Sequence, residues 1–288
     1  MKRVVSGAMN GTVRGALVSL MLIGAGTLVT SCQSDPDIDI TKLGVETDPP
    51  DVLYKQGLAN MNAGNMTEAG RKFSAIDKQY PFTEWGQKAL VMNTFIATRQ
   101  NKNDVAISSG TRFLKQYPRA KDAAYVQYMI GLAYSKQIAD VTQDQRAAQR
   151  TIEAMNKVVT DYPDSEYVAD AQAKIRFARD QLAGREMQVG RYYLERKEYL
   201  AAVSRFRIVV EQYQNTNQIE EALARLTEAY YAMGLADEAQ TAAAVLGNNY
   251  PDSEWYQDSY KLLKGQGLEP RENKESWISR AGKKLVGA

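Results

Sequence analysis

Among the residues that carry most protein chemistry, this 288-residue chain has no histidine and one cysteine, Cys32. That composition leaves no Ser-His-Asp triad, no Cys-His nucleophile pair, no HExxH zinc motif, no multi-cysteine metal cluster and no intramolecular disulfide. No metal or other cofactor is implied. An enzyme working with carboxylates or a lysine alone stays open in principle, and it would need a deep pocket of paired acids with perturbed pKa values. No compact motif speaks for one. The groups left with a definable chemistry are the Cys32 thiol, which can be acylated, and a set of arginines able to grip carboxylates.

Cys32 sits at the end of a recognisable leader. Met1 to Arg14 carries Lys2, Arg3 and Arg14 and no acidic residue, and Ala16 to Val29 is an uncharged, mostly apolar run. By length and flanks this is a secretory signal, too short for a secure membrane span. It closes on Val29-Thr30-Ser31-Cys32, small residues before a cysteine as in a bacterial lipobox, although Val29 and Thr30 depart from the commoner Leu-Ala form. The reading is an acylated Cys32 that begins the mature chain. The alternative is ordinary cleavage with Cys32 a stray thiol, and the position of the sole cysteine favours acylation. Each buried acyl CH2 contributes about 0.8 kcal/mol, so three chains would hold firmly. Gln33, in place of an inner-membrane-retaining Asp, favours the outer membrane. From Cys32 on, 33 of the 36 basic residues face 34 acidic ones, so the mature chain is near neutral. Such a balance implies no general affinity for nucleic acid.

The elements that position the arginines follow a repeat. Gly190, Tyr193, Ala202 and Phe206 hold the tetratricopeptide offsets, in which two small residues let paired helices approach and two aromatic rings fill the space between. Gly57, Ala69, Phe73 and Pro81 repeat the pattern, with Gly64-Asn65 as the turn between helices of about 12 to 14 residues. Tyr80-Pro81, Tyr117-Pro118, Tyr162-Pro163 and Tyr250-Pro251 mark the ends of second helices, with Tyr213-Gln214 in the remaining place. Proline lacks an N–H and fixes φ, which stops a helix. The tyrosines are spaced by 37, 45, 51 and 37 residues, against about 34 for an unadorned repeat.

The surplus falls in two places. Gln137 to Gln145 lengthens the loop inside repeat three, and Ser165 to Arg196 reads as one long helix through Gly184, an interior glycine that costs about 1 kcal/mol. The predicted fold is an all-α tetratricopeptide-repeat superhelix of about five helix pairs, with a long bridging helix between repeats three and four. Its divisions are a signal peptide (1–31), an acylated cysteine and extended tether (32–50), repeats one to three (51–164), the bridging helix with repeats four and five (165–268), and a flexible basic tail, frayed helix or disorder (269–288).

Together, VTSC at Val29 to Cys32, the Tyr-Pro turns, Asp122-Ala123-Ala124-Tyr125-Val126-Gln127-Tyr128 and the stretch from Glu186-Met187 to Arg205 resemble the BamD family, lipoproteins of the outer-membrane β-barrel assembly complex. The resemblance covers nearly all of the mature chain. It implies a lipid-anchored, non-enzymatic scaffold on the periplasmic face of the bacterial outer membrane, alongside other assembly lipoproteins. It further implies that C-terminal repeats bind the periplasmic domain of the barrel-forming subunit and N-terminal repeats receive unfolded outer-membrane protein precursors. An alternative is a periplasmic repeat adaptor for cell division or peptidoglycan machinery, which would lack the lipobox and the bridging helix.

First helices line the concave side of such an array. There Tyr54, Leu58, Met61 and Asn62 of repeat one and Val91, Phe95 and Arg99 of repeat two suit an extended apolar peptide ending in an aromatic residue, with Arg99 placed for its terminal carboxylate. A purely structural reading, with Leu58 and Phe95 as inter-repeat core, fits the same spacing. Arg191, Arg196 and Arg205 belong to a basic stretch that would ordinarily be a solvated face. The resemblance singles out Arg205 as the residue that docks the barrel subunit through one of its acids.

Overall fold

The computed structural model describes residues 48–285. Cys32, its leader and most of the tether lie outside them. The described residues are helical and loop, with no strand: α1 (Pro50–Asn62), α2 (Met66–Gln79), α3 (Glu84–Arg99), α4 (Asn103–Gln116), α5 (Ala123–Ser135), α6 (Arg146–Asp161), α7 (Val168–Glu195), α8 (Tyr199–Gln212), α9 (Ile219–Ala232), α10 (Ala236–Asn249), α11 (Glu254–Lys264) and α12 (Trp277–Gly282). From α1 to α10 each helix packs on the next. The first helices α1, α3, α5 and α7 also approach one another in succession, whereas the second helices stand apart. That asymmetry makes the first helices the inner side of a curve.

The pairing follows from a few side chains. Phe73, Phe113 and Phe206 are fully buried on α2, α4 and α8. A Cβ placed on Gly190 would lie 2.4 Å from the Phe206 ring, so α7 and α8 meet closer than any side chain at 190 permits. The turns within four of the pairs each hold one left-handed residue, Gly64 (φ 79°), Asn101 (57°), Lys197 (60°) and Gly234 (76°), and the longer α5–α6 loop holds none. Glycine meets that geometry freely and asparagine tolerates it, while Lys197 adopts it only because the pair around it is fixed. Tyr80, Tyr117, Tyr162, Tyr213 and Tyr250 each stand at the C-cap of a second helix. Gln214, where the other turns have proline, uses its amide to donate to Val210 O (3.0 Å) and closes the end of α8 by a different route.

The long helix is α7, 28 residues from Val168 to Glu195, slightly inside the predicted limits. Its glycine has a partner. Gly184 is buried, with Val141 of the lengthened α5–α6 loop 3.1 Å from where its Cβ would be, and Arg185 Nη1 donates to Thr142 O (3.2 Å). The two surplus segments of the sequence therefore pack on each other, the loop seated on the flat that Gly184 leaves.

The C-terminal end corrects the expectation of a frayed or flexible tail. Helix α11 packs on α9, and the chain then folds back so that α12 contacts α10 and α8. Ile278 is fully buried, Asn273 N donates to Thr241 Oγ1 (3.2 Å), and Gln240 Nε2 donates to Glu269 O (2.7 Å). The terminal repeat, which otherwise would present an apolar outer surface to water, is covered by its own chain. One continuous core runs from Ala183 through α12, while the N-terminal pairs hold several smaller ones.

Candidate functional site

The inner side of the N-terminal pairs is built from aromatic rings. Tyr54 meets Phe73 edge-on (centroids 5.2 Å) and Trp85 at a tilt (5.4 Å), and the Lys88 ammonium sits 4.8 Å over the Trp85 ring. Leu58 and Met61 are partly buried against the core of the first pair, and Phe95 packs on the cores of both the first and second pairs. Val91 joins the second. These are inter-repeat packing residues with one exposed edge, so the structural reading of Leu58 and Phe95 holds for the buried part of each. Asn62 and Arg99 are exposed at the ends of α1 and α3.

Further along the same side, sequence reasoning missed a tyrosine group. Tyr128 of α5 stacks on Tyr167 (5.0 Å, interplanar angle 19°), Tyr125 lies 5.3 Å from the same ring, and the Tyr128 hydroxyl donates to Asp170 of α7 (2.7 Å). Tyr54 and Tyr128 each precede the pair-forming glycine, Gly57 or Gly131, by three positions. That register was the available signal for Tyr128. Tyr167 lies in the link before α7, where no helical period marks it.

One electrostatic field joins these rings. Burial raises the Tyr54 hydroxyl above its ordinary value, Lys88 opposes this and the Asp122 carboxylate adds to it; burial likewise raises Tyr125, opposed by the Arg99 charge. Tyr167 is pushed up to about 12, by burial first and then by the hydrogen bond and charge of Glu166, with Asp122 contributing. Tyr128 is pushed higher by burial and by its bond to Asp170. All stay neutral donors at physiological pH. For Tyr167 the stabilising contribution is complete below the ordinary tyrosine value of 10 and is lost as pH climbs through about 12. In an alkaline titration followed by tyrosinate absorbance, Tyr167→Phe is expected to remove one late-titrating group, and a group removed near pH 10 would contradict the packing.

The three arginines do not form one cluster. Arg191 reaches from α7 to Glu221 of α9 (2.8 Å), and Arg225 joins the same carboxylate (3.4 Å) while lying 5.1 Å from the Trp255 ring. Backbones of α7 and α9 lack the close approach seen between the earlier first helices, so these long side chains span the space. Arg196 lies at the α7–α8 turn, over Tyr192 (5.4 Å) and beside Glu198 (3.2 Å). Arg205 of α8 pairs with Glu186 of α7 (3.2 Å), its side chain 41% exposed and that of Glu186 22%. Each therefore already holds a carboxylate of its own chain, which spacing along one helix does not reveal.

Among the described residues no group of three or more His, Cys, Asp or Glu is arranged to hold a metal ion, and no helix is long and apolar enough to cross a membrane. What the geometry offers is an inner surface of rings, methionine and cations suited to binding an extended chain. The family described as "YfiO: Outer membrane lipoprotein" matches residues 46–246. A protein of Caulobacter vibrioides named "Outer membrane protein assembly factor BamD" is 40% identical over 225 residues, covering 78% of this chain and 74% of its own. Proteins of the same name from Rickettsia prowazekii (34% identical, 86% of this chain and 96% of the relative) and Xylella fastidiosa strain 9a5c (31%, 82% and 82%) match along most of both chains. The chain belongs to the BamD family.

Proposed function

We propose that this chain is a binding scaffold for outer membrane protein assembly, acting without catalysis, and held at the periplasmic face of the outer membrane by an acylated Cys32. Its N-terminal inner surface receives the extended, aromatic-ended C-terminal segment of an unfolded outer-membrane protein precursor. Tyr54, Leu58, Met61, Asn62, Val91 and Phe95 supply the contact, with Arg99 for the terminal carboxylate. The C-terminal half, through Arg191, Arg196 and Arg205, holds the periplasmic domain of the barrel-forming subunit, with other assembly lipoproteins alongside. The observation that carries the first half is the two aromatic groups contributed by successive first helices and the link before α7, Tyr54 with Trp85 and Tyr128 with Tyr167. Arg99 stands exposed there, with no carboxylate partner among the described residues. The membership in the family supports the second.

Photo-crosslinking in cells tests both ends. A crosslinker at Tyr54 is expected to capture nascent barrel proteins, and one at Arg205 a large outer-membrane barrel protein. Capture of cell-wall enzymes alone from both positions would overturn the assignment. In vitro, Arg99→Ala is expected to weaken binding of a peptide ending in phenylalanine by about tenfold to a hundredfold, the range of a charge-assisted hydrogen bond. Amidating the peptide terminus should weaken binding to the wild type equally and add nothing in the variant. An amide effect that persists without Arg99 would place the carboxylate elsewhere.

A further inference from the structure

Successive second helices leave crevices on the outer side of the array, each floored by the first helix between them. One, between α2 and α4, is crossed by an ion pair, Asp77 with Arg112. The crevice between α8 and α10 is filled by α12. The crevice between α4 and α6 is open, a cavity of about 460 Å³ lined by residues that include Leu114, Lys115, Ile130, Tyr134, Ala154 and Lys157.

The filled and open crevices coincide in register. Tyr117 and Tyr213 are 96 positions apart, and the same offset carries Thr111 to Arg207, Lys115 to Glu211, Pro118 to Gln214 and Tyr134 to Tyr230. From α6 to α10 the offset is 88 (Tyr162 to Tyr250), and it carries Lys157 to Val245. The C-terminal counterparts are the residues that seat the tail. The Arg207 guanidinium lies 4.7 Å from the Trp277 ring, the Tyr230 hydroxyl accepts from Trp277 Nε1 (3.3 Å), and the Gln214 amide donates to Ala281 O (3.3 Å). Gly282 lies against Val245, whose Cγ1 would be 2.6 Å from a Cβ there, and Glu211 shares a cavity wall with Arg280 and Lys284.

In the open crevice the seat is kept and the charge is reversed. Tyr134 holds the place of the indole-accepting Tyr230, and its hydroxyl has no hydrogen-bond partner among the described residues. Lys115 replaces Glu211 and Lys157 replaces Val245, neither with a carboxylate partner among the described residues. Of the acids on the rim, Glu153 is taken by Arg150 (3.0 Å), and Asp161 accepts from the Thr160 hydroxyl (2.9 Å). The α2–α4 crevice is hollow too, but the Asp77–Arg112 pair spans it and Ala97 stands at the tyrosine position.

We propose that the α4–α6 crevice is a docking site for a short amphipathic helix of a partner protein, bound as α12 is bound between α8 and α10. The helix carries an aromatic side chain that hydrogen-bonds Tyr134 and carboxylates where α12 carries Arg280 and Lys284. An apolar floor with cationic walls recognises such a helix through burial of one face and charge pairing along its flanks.

The test uses the full-length chain and a stapled peptide of residues 269–285, shown to be helical by circular dichroism, with Arg280→Glu and Lys284→Glu and a photoreactive aromatic residue in place of Trp277. Saturable binding is expected, weakened at least tenfold by Lys157→Glu or Lys115→Glu in the protein, with crosslinks between Thr111 and Lys157. The same peptide with Arg280 and Lys284 retained should bind at least tenfold more weakly. Both protein variants lie at the crevice wall outside the cores, and their circular dichroism should match the wild type. Absence of saturable binding, indifference to both lysine reversals, or crosslinks confined to α8 and α10 would each overturn the proposal.

Discussion

Phe206→Ala is expected to lower the stability of the α7–α8 pair by about 3–5 kcal/mol, the range for a large aromatic side chain removed from a closed core. Phe206 is fully buried in the core that runs from Ala183 to α12, and its ring occupies the space that the missing Cβ of Gly190 leaves. In a solenoid each unit is held by its neighbours, so the loss should stay local at first. Hydrogen exchange should accelerate by about two to three and a half decades in α8 and the second half of α7, and remain unchanged in α1 and α2. Gly190→Ala gives the complementary result. Alanine gains up to about 1 kcal/mol of helix propensity, and overpacking costs about 1–3 kcal/mol. The opposing atoms belong to the ring of a fully buried residue, with no free end to swing aside, so overpacking wins. In the double variant the ring is gone and the alanine fits. The two changes should fall short of additivity by about 1–3 kcal/mol. Strict additivity would show that the ring and Gly190 do not meet.

The parts of this fold that were legible in the sequence are those specified within one repeat. Gly57 and Gly190 with their facing phenylalanines, the tyrosines that end the second helices and the turn at Gly64 each act over fewer than about 20 positions, within reach of periodic pattern. The tail was not legible because its placement depends on residues far away in sequence. Between Leu268 and Leu285 only Trp277 and Ile278 are strongly apolar, too few to show a period, and they are seated by Arg207, Tyr230 and Val245. The interior glycine of α7 carried a similar ambiguity. Propensity alone assigned it a cost, whereas Val141 and Thr142, about forty residues earlier, give it a use. Register along the first helices picked out Tyr54, Leu58, Val91 and Phe95 as candidates but passed over Tyr167, which belongs to a link and joins Tyr125 and Tyr128 through tertiary stacking.

Arg205→Glu should abolish most capture of the barrel-forming subunit, and the Glu186 pair decides what that loss means. With Glu186 22% exposed beside it, a glutamate at 205 sets two carboxylates in one inter-helix contact. A half-exposed pair contributes only about 0.2–1 kcal/mol, so the array should stay folded. A lost interfacial charge contact costs about 2–5 kcal/mol, which reads as roughly a thirtyfold to several-thousandfold drop in binding. The discriminating variant is the swap, Glu186→Arg with Arg205→Glu, which restores an internal pair with its polarity reversed. If Arg205 acts only by joining α7 to α8, the swap restores both stability and capture. If it offers its outer N–H groups to an acid of the partner while Glu186 orients the guanidinium, the swap restores stability alone. The second outcome is the expected one. A planar guanidinium has five donors, and here one nitrogen, Nη1, meets Glu186 at 3.2 Å while the side chain stays 41% exposed. Full recovery of capture in the swapped variant would make Arg205 a strut within the scaffold and would move the partner contact to Arg191 or Arg196.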